Sequence, residues 1–289
     1  MPVASTQAGG EEGVFNVLLT GFGPFANHRP DNPSWLAVKA LHNVVMPLDA
    51  DPVVSSTHRL IKISALQVPV TYEAVVEVVP KLHLRPPVLP EAVKDDFYPL
   101  PQDKGYDFIF HVGVAGRGPL RMEKLGHKLG YHMKDASGRL APIVKGPPSD
   151  FGRREEPDMS VGEQPIERIG SLGFDMESTS DTYSARPSRG FGVGYEKFPD
   201  EIYTDIDVSR LVYDLRKSGI EQIYSSMDAG HYLCDFMYYC SLAESKRNGK
   251  PYEKDRNTQV LFVHCPPVDQ PLSTEEVTEA LRRIISWVR

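Results

Sequence analysis

Short apolar runs of strand length alternate with segments of helical period along most of this 289-residue chain, and no other feature limits the fold as strongly. Val14 to Thr20 is an apolar run closed by Gly21, the pattern of a buried strand. Asp31 or Asn32 is placed to cap a helix with Pro33 in its first turn and Trp35, Val38 and Leu41 along one side. Ile61 to Val68 then reads as a strand, Thr71 to Leu82 as a helix and Tyr106 to His111 as another strand. Further on, Asp207 to Lys217 has an apolar helical face, while Ile220 to Ser226 and Gln259 to His264 read as strands. Ser273 and Glu276 have the spacing of a capping box for a last helix carrying Val277, Ala280, Leu281, Ile284 and Val288. Strand and helix in alternation build a mostly parallel sheet covered on both faces, an α/β fold.

Two stretches break the pattern. Leu84 to Gly105 is rich in proline, and Ala141 to Gly194 mixes Gly, Pro, Ser and charge with little periodicity. Loops of that length are uncommon inside a compact domain, so both read as surface insertions, partly disordered, in one domain running from residue 14 to 289. The apolar content of the longer stretch is too thin for a second domain, whereas 40% hydrophobic residues over the whole chain suffice for one sizeable core. Residues 1–13 read as a disordered tail, without the charged and apolar regions of a signal or transit peptide.

A net charge of -7 argues against a nucleic-acid or anionic-membrane partner, which needs a basic face. No apolar run approaches the roughly 18 residues of a membrane span. Three cysteines make no paired disulfide framework, and Asn32 is followed by Pro33, so no glycosylation acceptor is formed there. These features fit the reducing cytoplasm, where a lone thiol stays reactive.

The segment Gly21-Phe22-Gly23-Pro24-Phe25-Ala26 formally fits a dinucleotide fingerprint. Such a fingerprint must open straight into a helix, and Pro24, Pro30 and Pro33 prevent that. The segment reads instead as a loop at the carboxyl end of the first strand, the edge where open α/β sheets bind ligands. Phe22 and Phe25 are either two walls of a slot for a flat neutral ring or ordinary core residues plugging the sheet.

Cys234 follows the strand Ile220 to Ser226 and falls in the first turn of a helix through Phe236, Met237 and Leu242. Unpaired N–H groups and the positive helix end there are expected to lower a thiol pKa from about 8.5 toward neutrality. Cys240 and Cys265 read as buried structural cysteines. His264 ends an otherwise apolar strand and is placed to exchange a proton with the thiol. Glu123, in Arg121-Met122-Glu123-Lys124, is by itself an ordinary surface carboxylate. Each of the three residues follows a different strand, so all can converge on one sheet edge as nucleophile, base and orienter. No C-x-x-C or H-x-x-x-H spacing suggests a metal.

At these same segments the chain resembles the pyroglutamyl peptidase I family. The motifs are TGFGPF followed by NPSWLAVKAL, then Pro69-Val70-Thr71-Tyr72, HVGVAG, MEKLGHKLGY, MDAGHYLCDFMYY and FVHCPP, in the family's order. The resemblance covers roughly the first third, Tyr106 to about Asp135, and Tyr195 to the end. It implies a single three-layer α/β/α domain of the phosphorylase/hydrolase type, needing no cofactor. It also implies hydrolysis of N-terminal pyroglutamyl residues from peptides through a thioester, with Glu123, Cys234 and His264 catalytic. The family's lactam pocket falls on Phe22 and Phe25, its motif asparagine on Asn32, and an active-site arginine loosely on Arg139. Backbone groups near Gly21 and Val114 would read the ring amide. Ala26-Asn27 stands where the family usually has glycine first, and Ala141 to Gly194 has no counterpart in it. A nucleoside phosphorylase-like transferase and a non-enzymatic binding protein acting through that insertion remain the rival readings.

Overall fold

The computed structural model describes residues 13–47, 60–90, 104–144, 187–248 and 257–289. Along the chain these contain β1 (Val14–Phe22), α1 (Pro33–Lys39), β2 (Val45–Pro47), β3 (Leu60–Val68), α2 (Tyr72–Leu82), β4 (Phe108–Val114) and β5 (Leu120–Glu123). They continue with β6 (Leu125–His127), β7 (Glu201–Tyr203), α3 (Val208–Lys217), β8 (Ile223–Ser226), α4 (Leu233–Asn248), β9 (Gln259–Cys265) and α5 (Thr274–Val288). The expected strands and helices are present with ends shifted by up to a few residues. The short strands β2, β5, β6 and β7 were not visible as periodic runs, because three or four residues carry too little pattern.

The main sheet has seven strands among the described residues, in the order β2-β3-β1-β4-β9-β5-β8. β1 pairs in parallel with β3 and β4, β4 with β9, and β5 with β8, whereas β2 and β5 run antiparallel to β3 and β9. Central strands buried on both faces explain the unbroken apolar runs of β1, β4 and β9. One apolar cluster packs α1, α3 and α5 on one face, with Trp35, Leu211 and Leu281 over Val17, Phe110 and Val263. The other packs α2 and α4 on the opposite face, with Val75 and Phe236 near Leu18, Ile109 and Phe262. This is the expected three-layer α/β/α arrangement.

Local chemistry sets the helix starts. Asn32 caps α1 by accepting from the Ser34 N–H, Thr71 caps α2 through Ala74, and Asp207 caps α3 through Arg210. Ser273 and Glu276 form the anticipated capping box of α5. α4 differs from the amphipathic helices. It is buried on nearly all sides from Leu233 to Ser245, so its polar residues need internal partners. Ser241 bonds His83 Nε2 at 2.8 Å, Glu244 accepts from the Tyr195 hydroxyl at 2.7 Å, and Ser245 donates to the Thr258 carbonyl.

The ends of the longer aperiodic stretch are not surface loop. Ala141 is fully buried, and Phe191 stacks on Phe236 at 4.1 Å in the α2/α4 core. Val144 N–H donates to the Ser188 carbonyl at 2.9 Å, and Ile143 bridges Arg189 antiparallel. An aromatic at position 191 gains more area in that core than an exposed loop position offers, which pins both flanks down. The rest of the stretch, most of Leu84 to Gly105 and the first twelve residues lie outside the described residues. No helix among the described residues is long and apolar enough to cross a membrane.

Candidate active site

The three sequence-derived residues do not meet by each following a strand to one edge: β5 and β8 run antiparallel to β9, and Glu123 lies opposite Phe262, two residues inside His264. Glu123 is the last residue of β5, and its side chain is fully buried rather than an ordinary surface carboxylate. His264 is the penultimate residue of β9 and is also buried. Cys234 is the second residue of α4 and keeps part of its surface accessible.

Sheet register brings them together. Gly113 of β4 is the register partner of His264, and Arg121 of β5 faces the same histidine from the other side. Register partners point to one face, here the α2/α4 face, with strands about 4.8 Å apart. A Cβ built on Gly113 would lie 2.8 Å from Cys234 Sγ. The sulfur therefore occupies the side-chain space of Gly113, on the strand adjoining His264, and any larger residue at 113 would displace it. On the far side of the ring, His264 Nδ1 is 2.7 Å from Glu123 Oε1. A carboxylate at Nδ1 fixes the tautomer with the proton there, leaving Nε2 as the acceptor. Arg121 Nε lies 3.7 Å from the same carboxylate oxygen, and the Tyr238 hydroxyl of α4 donates to the Glu123 carbonyl at 2.9 Å.

The thiol is not lowered toward neutrality. Burial pushes Cys234 up to about 12, with Asp235, Glu123 and Cys265 adding to the rise and Arg121 opposing it. The resting sulfur is a thiol, and forming a thiolate requires a base to receive its proton.

Cys234 also lines a cavity of about 260 Å³. Phe22, Phe25, Asn32, Val114 and Tyr232 contribute to its walls. Phe22 is buried, Phe25 only half-buried, and the Phe25 and Tyr232 rings sit 5.7 Å apart. Asn32 has a structural part besides lining the cavity. It donates to the Gly23 carbonyl at 3.1 Å while its Oδ1 accepts from Ser34, and Ser34 Oγ accepts from the Phe22 N–H at 3.0 Å. The aromatic loop is thereby tied to the start of α1. Gly21 serves helix packing, since a Cβ there would meet the Trp35 Cα at 2.9 Å, and it does not line the cavity. Arg139 is not brought to the site. It extends at the surface and pairs with Glu73 at 2.5 Å.

Sequence reasoning missed Tyr232, Arg121 and Gly113. Tyr232 had a signal, an aromatic two residues before the cysteine on a turn entering a buried helix. The other two had none, because their importance comes from strand register.

Fold and site together define an open α/β protein with a cysteine and a histidine near the carboxyl ends of β4 and β9, a glutamate reaching the histidine from the antiparallel strand β5, and an aromatic cavity alongside. No family model matches the sequence. The human protein "Pyroglutamyl-peptidase 1" is 26% identical over 271 residues, covering 93% of this chain and 87% of its own length. The mouse protein of the same name is 25% identical with the same coverage. Among solved structures, the pyrrolidone carboxyl peptidase of Fervidobacterium islandicum superposes with a TM-score of 0.57 at 21% identity, covering 95% of this chain and 98% of that one. The pyroglutamyl peptidase I of Bacillus amyloliquefaciens gives 0.55 at 22% identity, covering 94% and 93%. Over nearly its whole length the chain is thus similar to pyroglutamyl peptidase I proteins in sequence, and to solved members of that family in fold. These relatives favour neither a phosphorylase-like transferase nor a non-enzymatic binding protein.

Proposed function

We propose that this chain is a cysteine peptidase that removes an N-terminal pyroglutamyl residue from peptides. The observation that carries this reading is Cys234 Sγ seated over Gly113, beside a histidine whose other ring nitrogen is bonded to a buried glutamate. The pyroglutamyl lactam is flat and has no free ammonium. It suits an apolar cavity with Phe22, Phe25 and Tyr232 in its walls and Cys234 in the same lining.

In this mechanism His264 Nε2 takes the thiol proton as the sulfur attacks the pyroglutamyl carbonyl. Backbone N–H groups at the start of α4 stabilise the oxyanion. The imidazolium, held by Glu123, returns the proton to the leaving amine as the peptide bond breaks. Water, deprotonated by the same histidine, then hydrolyses the thioester. Because the thiol is raised by burial, proton transfer and attack are coupled, and no standing thiolate is needed. No step requires a metal or a cofactor. All three cysteines are free, which suits the cytoplasm.

The decisive assay follows release of a fluorophore from a pyroglutamyl amide, with a free prolyl amide as control. Turnover of the pyroglutamyl compound alone, absent in Cys234→Ala, is expected. Equal turnover in Cys234→Ala, or none in the unaltered protein, would overturn the reading.

A further inference from the structure

On the same side of the sheet, three side chains outside that mechanism converge around the first turn of α4. Asp235 is fully buried. Its Oδ1 accepts from the His127 backbone N–H at 3.1 Å and its Oδ2 from the Tyr131 hydroxyl at 3.1 Å. His127 Nδ1 lies 3.1 Å from Oδ2, and His231 Nδ1 lies 3.7 Å from the same oxygen. The two imidazoles are 4.8 Å apart between centroids. One ligand atom from each residue falls within 4.8 Å of the other two.

We propose that His127, His231 and Asp235 form a binding site for a divalent transition ion of the Zn²⁺ type. Two imidazoles and one carboxylate are the donor set of such borderline ions, rather than of Mg²⁺ or Ca²⁺. A tetrahedral ion with bonds of about 2.1 Å holds its ligand atoms about 3.4 Å apart; the two nitrogens lie 3.1 and 3.7 Å from the Asp235 oxygen, and all three atoms fall within 4.8 Å. The carboxylate is already oriented by Tyr131 and by the His127 N–H, the outer support that metal ligands require. His231 is half exposed, so the ion has an entry path from solvent. Its pairing with Asp235 at i, i+4 is a ligand spacing that a search for cysteine and histidine pairs alone passes over. The positive end of α4 opposes a cation, so the Asp235 charge is indispensable to the site. Adjacent helix positions do not share a face, which keeps this site separate from the Cys234 sulfur.

The test uses the full chain carrying Cys234→Ser, so that the reactive thiol supplies no ligand, after removal of metal with a chelator. Titration with Co²⁺ should give saturable, stoichiometric visible absorption of tetrahedral type, bleached by added Zn²⁺. His231→Gln in the same background should weaken Co²⁺ affinity at least tenfold. Because His231 is exposed, its melting temperature should be unchanged, which separates lost ligation from lost folding. No saturable absorption, or equal affinity in the His231→Gln protein, would overturn the proposal. The outcome is independent of peptidase activity.

Discussion

His264 Nδ1 and Glu123 Oε1 lie 2.7 Å apart although 141 residues separate them, because β5 runs antiparallel to β9 and sets both side chains on one face. The pair is buried, so the carboxylate does more than orient the ring. It is the counter-charge that lets an imidazolium form away from water. The mechanism proposed above depends on this, since burial holds the Cys234 thiol well above neutrality.

Glu123→Gln should therefore lower kcat by about 10²- to 10⁴-fold, because a neutral amide can hold the wrong tautomer and cannot stabilise the imidazolium. KM should change little, as Glu123 does not line the cavity. Steady-state kinetics on the pyroglutamyl amide check both. A KM effect without a kcat effect would place Glu123 in substrate binding instead.

Cys234→Ala should abolish turnover, whereas Cys240→Ala and Cys265→Ala should retain most of it. Cys240 is fully buried beside the Tyr195 hydroxyl, and Cys265 packs in the cluster on the opposite face of the sheet. In His264→Ala, alkylation of Cys234 at neutral pH should slow at least tenfold and recover as pH rises, because the thiol is pushed up to about 12 and has lost its base. Mass spectrometry of iodoacetamide-treated protein reads which thiol reacts. Labelling of Cys240 alone, with loss of activity, would refute the assignment.

Phe25→Ala should raise KM about thirtyfold, the equivalent of about 2 kcal/mol of lost contact, while the fold survives. Phe25 is only half-buried and packs against Tyr232 in the cavity wall. A plug in the core would behave differently, losing about 3–5 kcal/mol of stability with unchanged kinetics per folded molecule. Melting temperature and kinetics measured on one preparation separate the two.

Stability should fall steeply in mild acid. Burial lowers His83 and His111 to about 3, so both are required neutral in the folded state. Their contribution is complete above the unfolded value near 6.5 and is lost as pH falls from there toward 3. Each contributes a slope of up to about 1.4 kcal/mol per pH unit in that window. Denaturant unfolding at several pH values should show this slope, and His111→Gln, which can keep the bond to Thr20 Oγ1, should reduce it. An unchanged slope would mean that His111 is not a source of the acid sensitivity.

Replacing residues 147–184 with a short Gly-Ser turn should leave a folded, active protein. The flanks are already joined antiparallel through Val144 and Ser188, so a short turn can close them. Removing Phe191 as well should unfold it, because that ring stacks on Phe236 in the core. Circular dichroism and activity of the two deletions make the comparison. A first deletion that fails to fold would show that the removed residues contribute to the core.

The alternation of elements, the caps at Asn32 and Ser273, and the positions of Cys234 and His264 on a helix start and a strand end were all readable from the chain. Those features are written in runs of a few residues, where period, capping and turn chemistry act locally. The aromatic loop was readable too, but not whether Phe25 faces a cavity. Tertiary structure alone decided what lies next to what across long separations. It set Gly113 beside His264 beneath the sulfur, put Glu123 in a strand too short to show a period, and turned Arg139 away to Glu73. It gathered His127, His231 and Asp235, and drew Phe191 out of an apparent insertion into the core. It also reversed the expected direction of the Cys234 pKa. A helix start is a local property visible in sequence, whereas desolvation is the sum of everything packed around the sulfur.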